Sequence, residues 1–270
     1  MKKRFLVAAI GLPILFVTCL VLPKWVGALV ISAVAACMTL EFLMPTGYAP
    51  KRRILIVAVI FSFAVSLRSY TGADRGAETL GAVLFFAYLT VELLAAATAW
   101  QVGDMLAVLF GGLMLPWLVS SVLRIFAWDS GRAMVLLPFA LTMAPDAGAL
   151  AAGKFFGRHP LAPEISPKKT VEGAAGSLLT GLLTAVVYAL VLWKLDYRVF
   201  WGAVLLYGFL GGLFSVFGDL LFSTVKRQRK IKDFSRVLSE HGGFLDRLDS
   251  LVLFAPVAEQ LLIYLPFAVK

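Results

Sequence analysis

Three aspartates near the end of the chain, Asp219, Asp246 and Asp249, stand at the margins of long apolar runs, where a carboxylate is costly. An Asp at the centre of a membrane-spanning helix costs about 2.5–3.5 kcal/mol on insertion scales, so each asks for a compensating role. At helical spacing Ser223 and Lys226 share a face with Asp219. In "HGGFLDRLDS", residues 241–250, Asp246 and Asp249 lie three apart and share a face, with Arg247 turned away from both. Carboxylates from two neighbouring helices would then converge at one level. Such acids repel one another in a low-dielectric site unless a cation holds them, and hard oxygen ligands suit Mg2+, which takes one or two carboxylates plus substrate phosphates. Around them stand the anion binders Lys226, Arg227 and Lys232, with Lys168 and Lys169 in an earlier loop. Gly242 and Gly243 precede a helix whose free amides would seat a phosphate. The chemistry such a set points to is that of phosphates, carried by a triphosphate or a phospholipid headgroup.

Plainer roles exist for each of these residues. A run such as "KRQRKIKD" is also what a solvated juxtamembrane anchor looks like. Asp246 with Arg247 or Lys226 could be structural ion pairs, and His241, with no second His or Cys beside it, reads as a hydrogen-bonded turn residue. Glu41, Glu92 and Glu259 read as interfacial or interhelical groups without a catalytic part. Asp146 follows a proline inside a span, where a structural role and a site role stand level.

The elements that must position these residues are membrane helices. The chain has 270 residues, 60% of them hydrophobic and only 15% charged, with a mean hydropathy of +0.89, far from the composition of a soluble globular domain. With about 20 apolar residues needed per span, nine spans are expected, at residues 5–22, 25–44, 54–70, 80–100, 105–126, 133–152, 174–193, 199–222 and 251–269. The fold class is all-α and polytopic, one transmembrane domain over 1–270, with helices over 1–132 as scaffold and 133–270 as the catalytic half. The basic start "MKKR" resembles a signal peptide, but a second span follows directly and no small-residue cleavage pattern is evident, so the first helix reads as retained.

Placing the N-terminus in the cytoplasm puts most of the 25 basic residues on the inside, in the runs around 2–4, 51–53, 154–169 and 226–247. The net charge of +9 then faces anionic headgroups or a polyanionic solute. Nucleic acid is excluded as a partner, since no nucleic-acid module accompanies the charge. The two cysteines, Cys19 and Cys37, both lie in spans and read as packing. Two inside loops, 154–173 and 223–250, are long where the other connections are short, and these carry the candidate residues.

The second of those loops resembles the signature of the phosphatidate cytidylyltransferases, or CDP-diacylglycerol synthases. Ser223, Lys226, Arg227, Lys232, Asp233, Ser235, His241, Gly242, Gly243, Asp246, Arg247 and Asp249 fall at the family's offsets. "FFGRHPLAPEISPKKTVEG" is similar to the family's other landmark, through Phe156, Gly157, Leu161, Ala162, Pro163, Ser166, Pro167, Lys169, Thr170, Glu172 and Gly173. Ala147 stands where the family carries a hydroxyl residue, and Ser239 where a proline is common.

The resemblance implies transfer of a cytidylyl group from CTP to phosphatidic acid at the inner leaflet of a cell membrane, in phospholipid biosynthesis. It implies one or two Mg2+ ions on Asp219, Asp246 and Asp249, these three acting in catalysis with Lys226. Ser166, Lys169, Ser223, Arg227, Lys232, His241, Gly242, Gly243 and Arg247 would bind substrate. Membrane lipids are further partners, and a homodimer is compatible with this reading. A transporter of an anionic metabolite, or a lipid kinase using CTP, would draw on the same charges.

Overall fold

The computed structural model describes residues 13–72, 75–96, 99–235 and 242–270. The protein is an all-α polytopic membrane protein. Against the nine expected spans, the described residues hold seven helices long and apolar enough to cross a bilayer. They are α1 (Lys24–Thr46), α2 (Arg52–Thr71), α3 (Arg75–Ala96), α4 (Val102–Ala127), α5 (Gly131–Phe156), α6 (Val171–Lys194) and α7 (Trp201–Gln228). Of the first expected span only its second half is described, and it ends in a π-helical turn, Val17–Val21. The last expected span begins earlier than hydropathy suggests: α8 runs from Leu245 to Tyr264, so its first turns carry Asp246, Arg247 and Asp249. Short antiparallel pairs complete the fold, β1 (Pro160–Ala162) with β2 (Ser166–Thr170), and β3 (Arg198–Val199) with β4 (Ala268–Val269).

The chain folds into two compact units, Met1–Ala127 with Ile231–Arg247, and Trp128–Lys230 with Leu248–Lys270. Ile231–Arg247 falls in the first unit, although in sequence it follows residues of the second.

In the first unit, polar side chains tie apolar helices together where lipid offers no hydrophobic driving force between them. Thr39 on α1 donates to the carbonyl of Gly111 on α4 (2.7 Å) and is hydrogen-bonded to the Ser62 hydroxyl on α2 (2.9 Å). Glu92 on α3 is buried and receives Arg53 Nε at 2.6 Å and Lys51 Nζ at 3.1 Å from the start of α2. Replacing it leaves two cations without their charged acceptor. Glu92→Gln should lower the stability of the protein by about 1–3 kcal/mol, read as a fall in the thermal midpoint in detergent. An unchanged midpoint would mean that solvent replaces the pair without loss.

The second unit is built on close helix contact. A Cβ on Gly181 of α6 would meet Gly212 N at 3.0 Å, and one on Gly212 of α7 would meet Leu178 Cα at 2.8 Å, so the backbones touch only because both residues lack side chains. Ser177 fixes the register by donating to the Gly212 carbonyl (2.9 Å). Thr170, last residue of β2, caps α6 by accepting from the Gly173 amide at 3.1 Å, which fixes the β1–β2 hairpin at the helix start. At the other end Tyr207 donates to the Leu265 carbonyl (3.1 Å) and β4 pairs with β3, holding the chain terminus against α7.

Candidate active site

The second unit gathers the expected residues of α7, α8 and β2. Asp219 accepts from Ser223 one turn on (3.2 Å) and forms an ion pair with Lys169 Nζ at 2.6 Å. The helical spacing read from sequence is what brings Ser223 round, and the hairpin held by Thr170 is what brings Lys169 in. Asp249 on α8 is buried, with its Oδ1 taking the Ser250 amide at 2.7 Å. Asp219, Asp146 and Lys226 all lie close enough for their charges to act on it. Lys226 is itself buried. Burial of a lysine and a carboxylate within range of each other strengthens their attraction, because little water screens it. Arg227 donates through Nε to the carbonyl of Ile165 (3.2 Å), joining the end of α7 to the hairpin loop just before half-buried Ser166. Lys168 is exposed on the same hairpin.

Asp146, left open by sequence, is half-buried and belongs to the same unit. It accepts from Ser215 on α7 and, at 3.4 Å, from Ser250 on α8, whose hydroxyl also reaches the Ser215 carbonyl (3.0 Å). A proline one residue before it, Pro145, and two serines on facing helices are the signals that mark such a polar pocket within apolar sequence.

The remaining expected residues belong to the first unit. Lys232 is exposed and Arg247 is exposed on the first turn of α8, between half-buried Asp246 and buried Asp249 at the next turns, as their spacing requires. Gly242 takes φ of 76°, a left-handed conformation that suits glycine. His241 lies outside the described residues. The helix start beside these glycines differs from expectation: its amides are not open to a phosphate. Gly243 N donates to Asp246 Oδ2 (3.0 Å), Phe244 N to Glu41 Oε1 (3.1 Å) and Leu245 N to Glu41 Oε2 (2.8 Å). Carboxylates of the protein occupy the positions at which an anion was expected. Asp246 Oδ2 accepts a second amide, that of Phe234, at 2.9 Å, so one of its oxygens serves its own loop.

Among the described residues no group of three or more His, Cys, Asp or Glu side chains is placed to hold a metal ion. Asp219 and Asp249 offer the hard oxygen donors that Mg2+ takes, and Lys169 and Lys226 belong to the same unit.

Glu41, read from sequence as an interfacial or interhelical group, has partners that the sequence did not name. It is buried on α1 and spends both oxygens on the segment that opens α8. An acid within an apolar span was its only sign.

Comparison with known proteins agrees with the geometry. The chain is 37% identical over 163 residues to a phosphatidate cytidylyltransferase of Mycobacterium bovis, covering 60% of this chain and 52% of that one. It is 42% identical over 134 residues to one of Synechocystis sp., covering 48% and 43%, and 35% identical over 179 residues to one of Haemophilus influenzae, covering 62% and 61%. The chain thus spans about half the length of the first curated relatives it matches. The Cytidylyltransferase family model matches residues 2–265, nearly the whole sequence and both loops that hold the acids and lysines above, so the chain belongs to the cytidylyltransferase family.

Proposed function

We propose that the protein transfers a cytidylyl group from CTP to phosphatidic acid, giving CDP-diacylglycerol and pyrophosphate. The observation that carries the reading is the grouping of Lys169, Asp219, Ser223, Lys226 and Asp249 in one unit, within the two segments that resemble the family signature. In the reaction a phosphate oxygen of the lipid forms a bond to the α-phosphorus of CTP as the bond to the pyrophosphate oxygen breaks. Catalysis of this kind is mostly positioning and charge neutralisation.

Lys226 and Arg227, at the end of α7, hold phosphates of the nucleotide or lipid, and Lys169 with Ser166 forms the facing wall on the hairpin. Ser223 orients the Asp219 carboxylate. Mg2+ held by Asp219 and Asp249, with Asp246 contributing from the start of α8, would neutralise charge on the triphosphate. Lys232, His241 and Arg247 are further residues for substrate contact. These loops face the cytoplasm, from which CTP enters, while the lipid arrives laterally with its tails in the bilayer.

The test is incubation of the purified protein with phosphatidic acid and CTP labelled either in cytidine or at the γ-phosphate, with Mg2+ and again with EDTA. Cytidine label in the lipid, lost with EDTA, is the expected result. Only γ-label in the lipid would make the protein a CTP-dependent lipid kinase, and no labelled lipid would favour a transporter.

A further inference from the structure

Glu41 does something that an ordinary helix cap does not. The amides of Phe244 and Leu245 could be satisfied by a serine or aspartate a few residues away, with no charge buried in an apolar helix. They are satisfied instead by a carboxylate on α1, about two hundred residues away in sequence, which also accepts from Ser235 Oγ at 2.7 Å. A local cap would fix only where α8 begins. A distant one fixes where that beginning stands against α1.

The contacts interlock. Glu41 grips Ser235 in one stretch and Phe244 and Leu245 in another, while Asp246 grips Phe234 and Gly243. Two acids therefore hold the same two stretches, 234–235 and 243–245, together. Gly243 belongs to this clamp, since a Cβ there would run into the Glu41 carboxyl group. The clasped segment contains Asp246 and leads directly into the turn of α8 that bears Asp249.

We propose that Glu41 is a positioning residue for the transfer reaction: it holds the first turn of α8, and with it Asp246, in working geometry. The inference rests on the function proposed above. Glu41 touches no substrate and acts only through the helix start.

The test compares the full-length protein with Glu41→Gln and Ser235→Ala in detergent. Glu41→Gln keeps the side chain's shape but turns an NH2 group toward a backbone N–H. Amide hydrogen exchange is followed without substrate. Peptides covering 242–248 should exchange at least about tenfold faster in Glu41→Gln, with peptides from 171–228 unchanged. In the same preparation kcat should fall about 10–100-fold with KM for CTP within about threefold of wild type. Ser235→Ala, which leaves the carboxylate in place, should move both readings in the same direction by a smaller factor.

Unchanged exchange at 242–248 overturns the proposal, and so does faster exchange with wild-type kcat, which would leave Glu41 a purely structural staple. If Glu41→Gln exchanges everywhere, Ser235→Ala decides: a local, graded effect on exchange and kcat supports the role, and none overturns it. A wild-type protein that attaches no cytidine to lipid would defeat the proposed function instead, while the exchange arm still reports whether Glu41 holds the helix.

Discussion

Asp219→Asn is expected to lower turnover by about 10³-fold or more, the scale seen when a preorganised charge-stabilising group is removed, while the protein stays folded. The two effects separate by size. The Asp219 side chain is 40% exposed, but the Lys169 Nζ that pairs with it is out of contact with solvent, and removing one partner of such a pair costs about 1–3 kcal/mol of stability. A thousandfold loss of rate corresponds to about 4 kcal/mol. Unfolding cannot supply that difference, so a large rate loss with an intact thermal midpoint locates the defect in the chemistry.

Asparagine can still accept from Ser223, so the geometry of the side chain persists and only its charge is lost. Lys169→Met should also be slow. The double variant should be no slower than Asp219→Asn alone by more than a few fold, because residues acting as one unit are not additive. Wild-type turnover in Asp219→Asn would remove the acid at the centre of the proposed site.

The helices were readable from sequence because the bilayer demands about 20 apolar residues per span and Lys24–Thr46 through Trp201–Gln228 obey it. Where α8 starts was harder to read, since hydropathy discounts the charged turn around Asp246 that helix geometry tolerates. The pairing of Asp219 with Ser223 follows from a spacing of one turn, and the separate exposures of Asp246, Arg247 and Asp249 follow from the same period. Contacts between distant segments leave no such trace. Nothing in the spacing of residues says that Glu41 meets Leu245, that Asp146 meets Ser215, or that Ile231–Arg247 falls in one unit with the N-terminal helices. The glycine-led start of α8 misled for a related reason: composition signals free amides, but only tertiary structure tells which carboxylate has already taken them.

Gly218→Ala joins the packing to the chemistry through a single methyl group. Gly218 lies on α7 one residue before Asp219, and a Cβ there would stand 2.5 Å from Ser250 Cα, 2.9 Å from the Asp249 carbonyl oxygen and 3.0 Å from Ser250 N. All three are backbone atoms, so no side chain can rotate away and α8 itself must yield, by about an ångström in a well-packed interior. Asp249 and Ser250 are the residues displaced, the one beside Asp219 and the other bonded to Asp146.

Misplacement on that scale costs about 10²-fold in rate, and overpacking of this kind costs about 1–3 kcal/mol in stability. Helix propensity pulls the other way, favouring alanine over glycine by about 0.5–1 kcal/mol. Gly202, in the first turn of α7, where an added methyl would have nothing within 4 Å, isolates that effect. Gly202→Ala should therefore match or exceed wild-type stability with unchanged turnover, while Gly218→Ala loses both. If Gly218→Ala is instead as active as wild type, the contact between α7 and α8 does not set where Asp249 stands, and the two helices hold their acids independently.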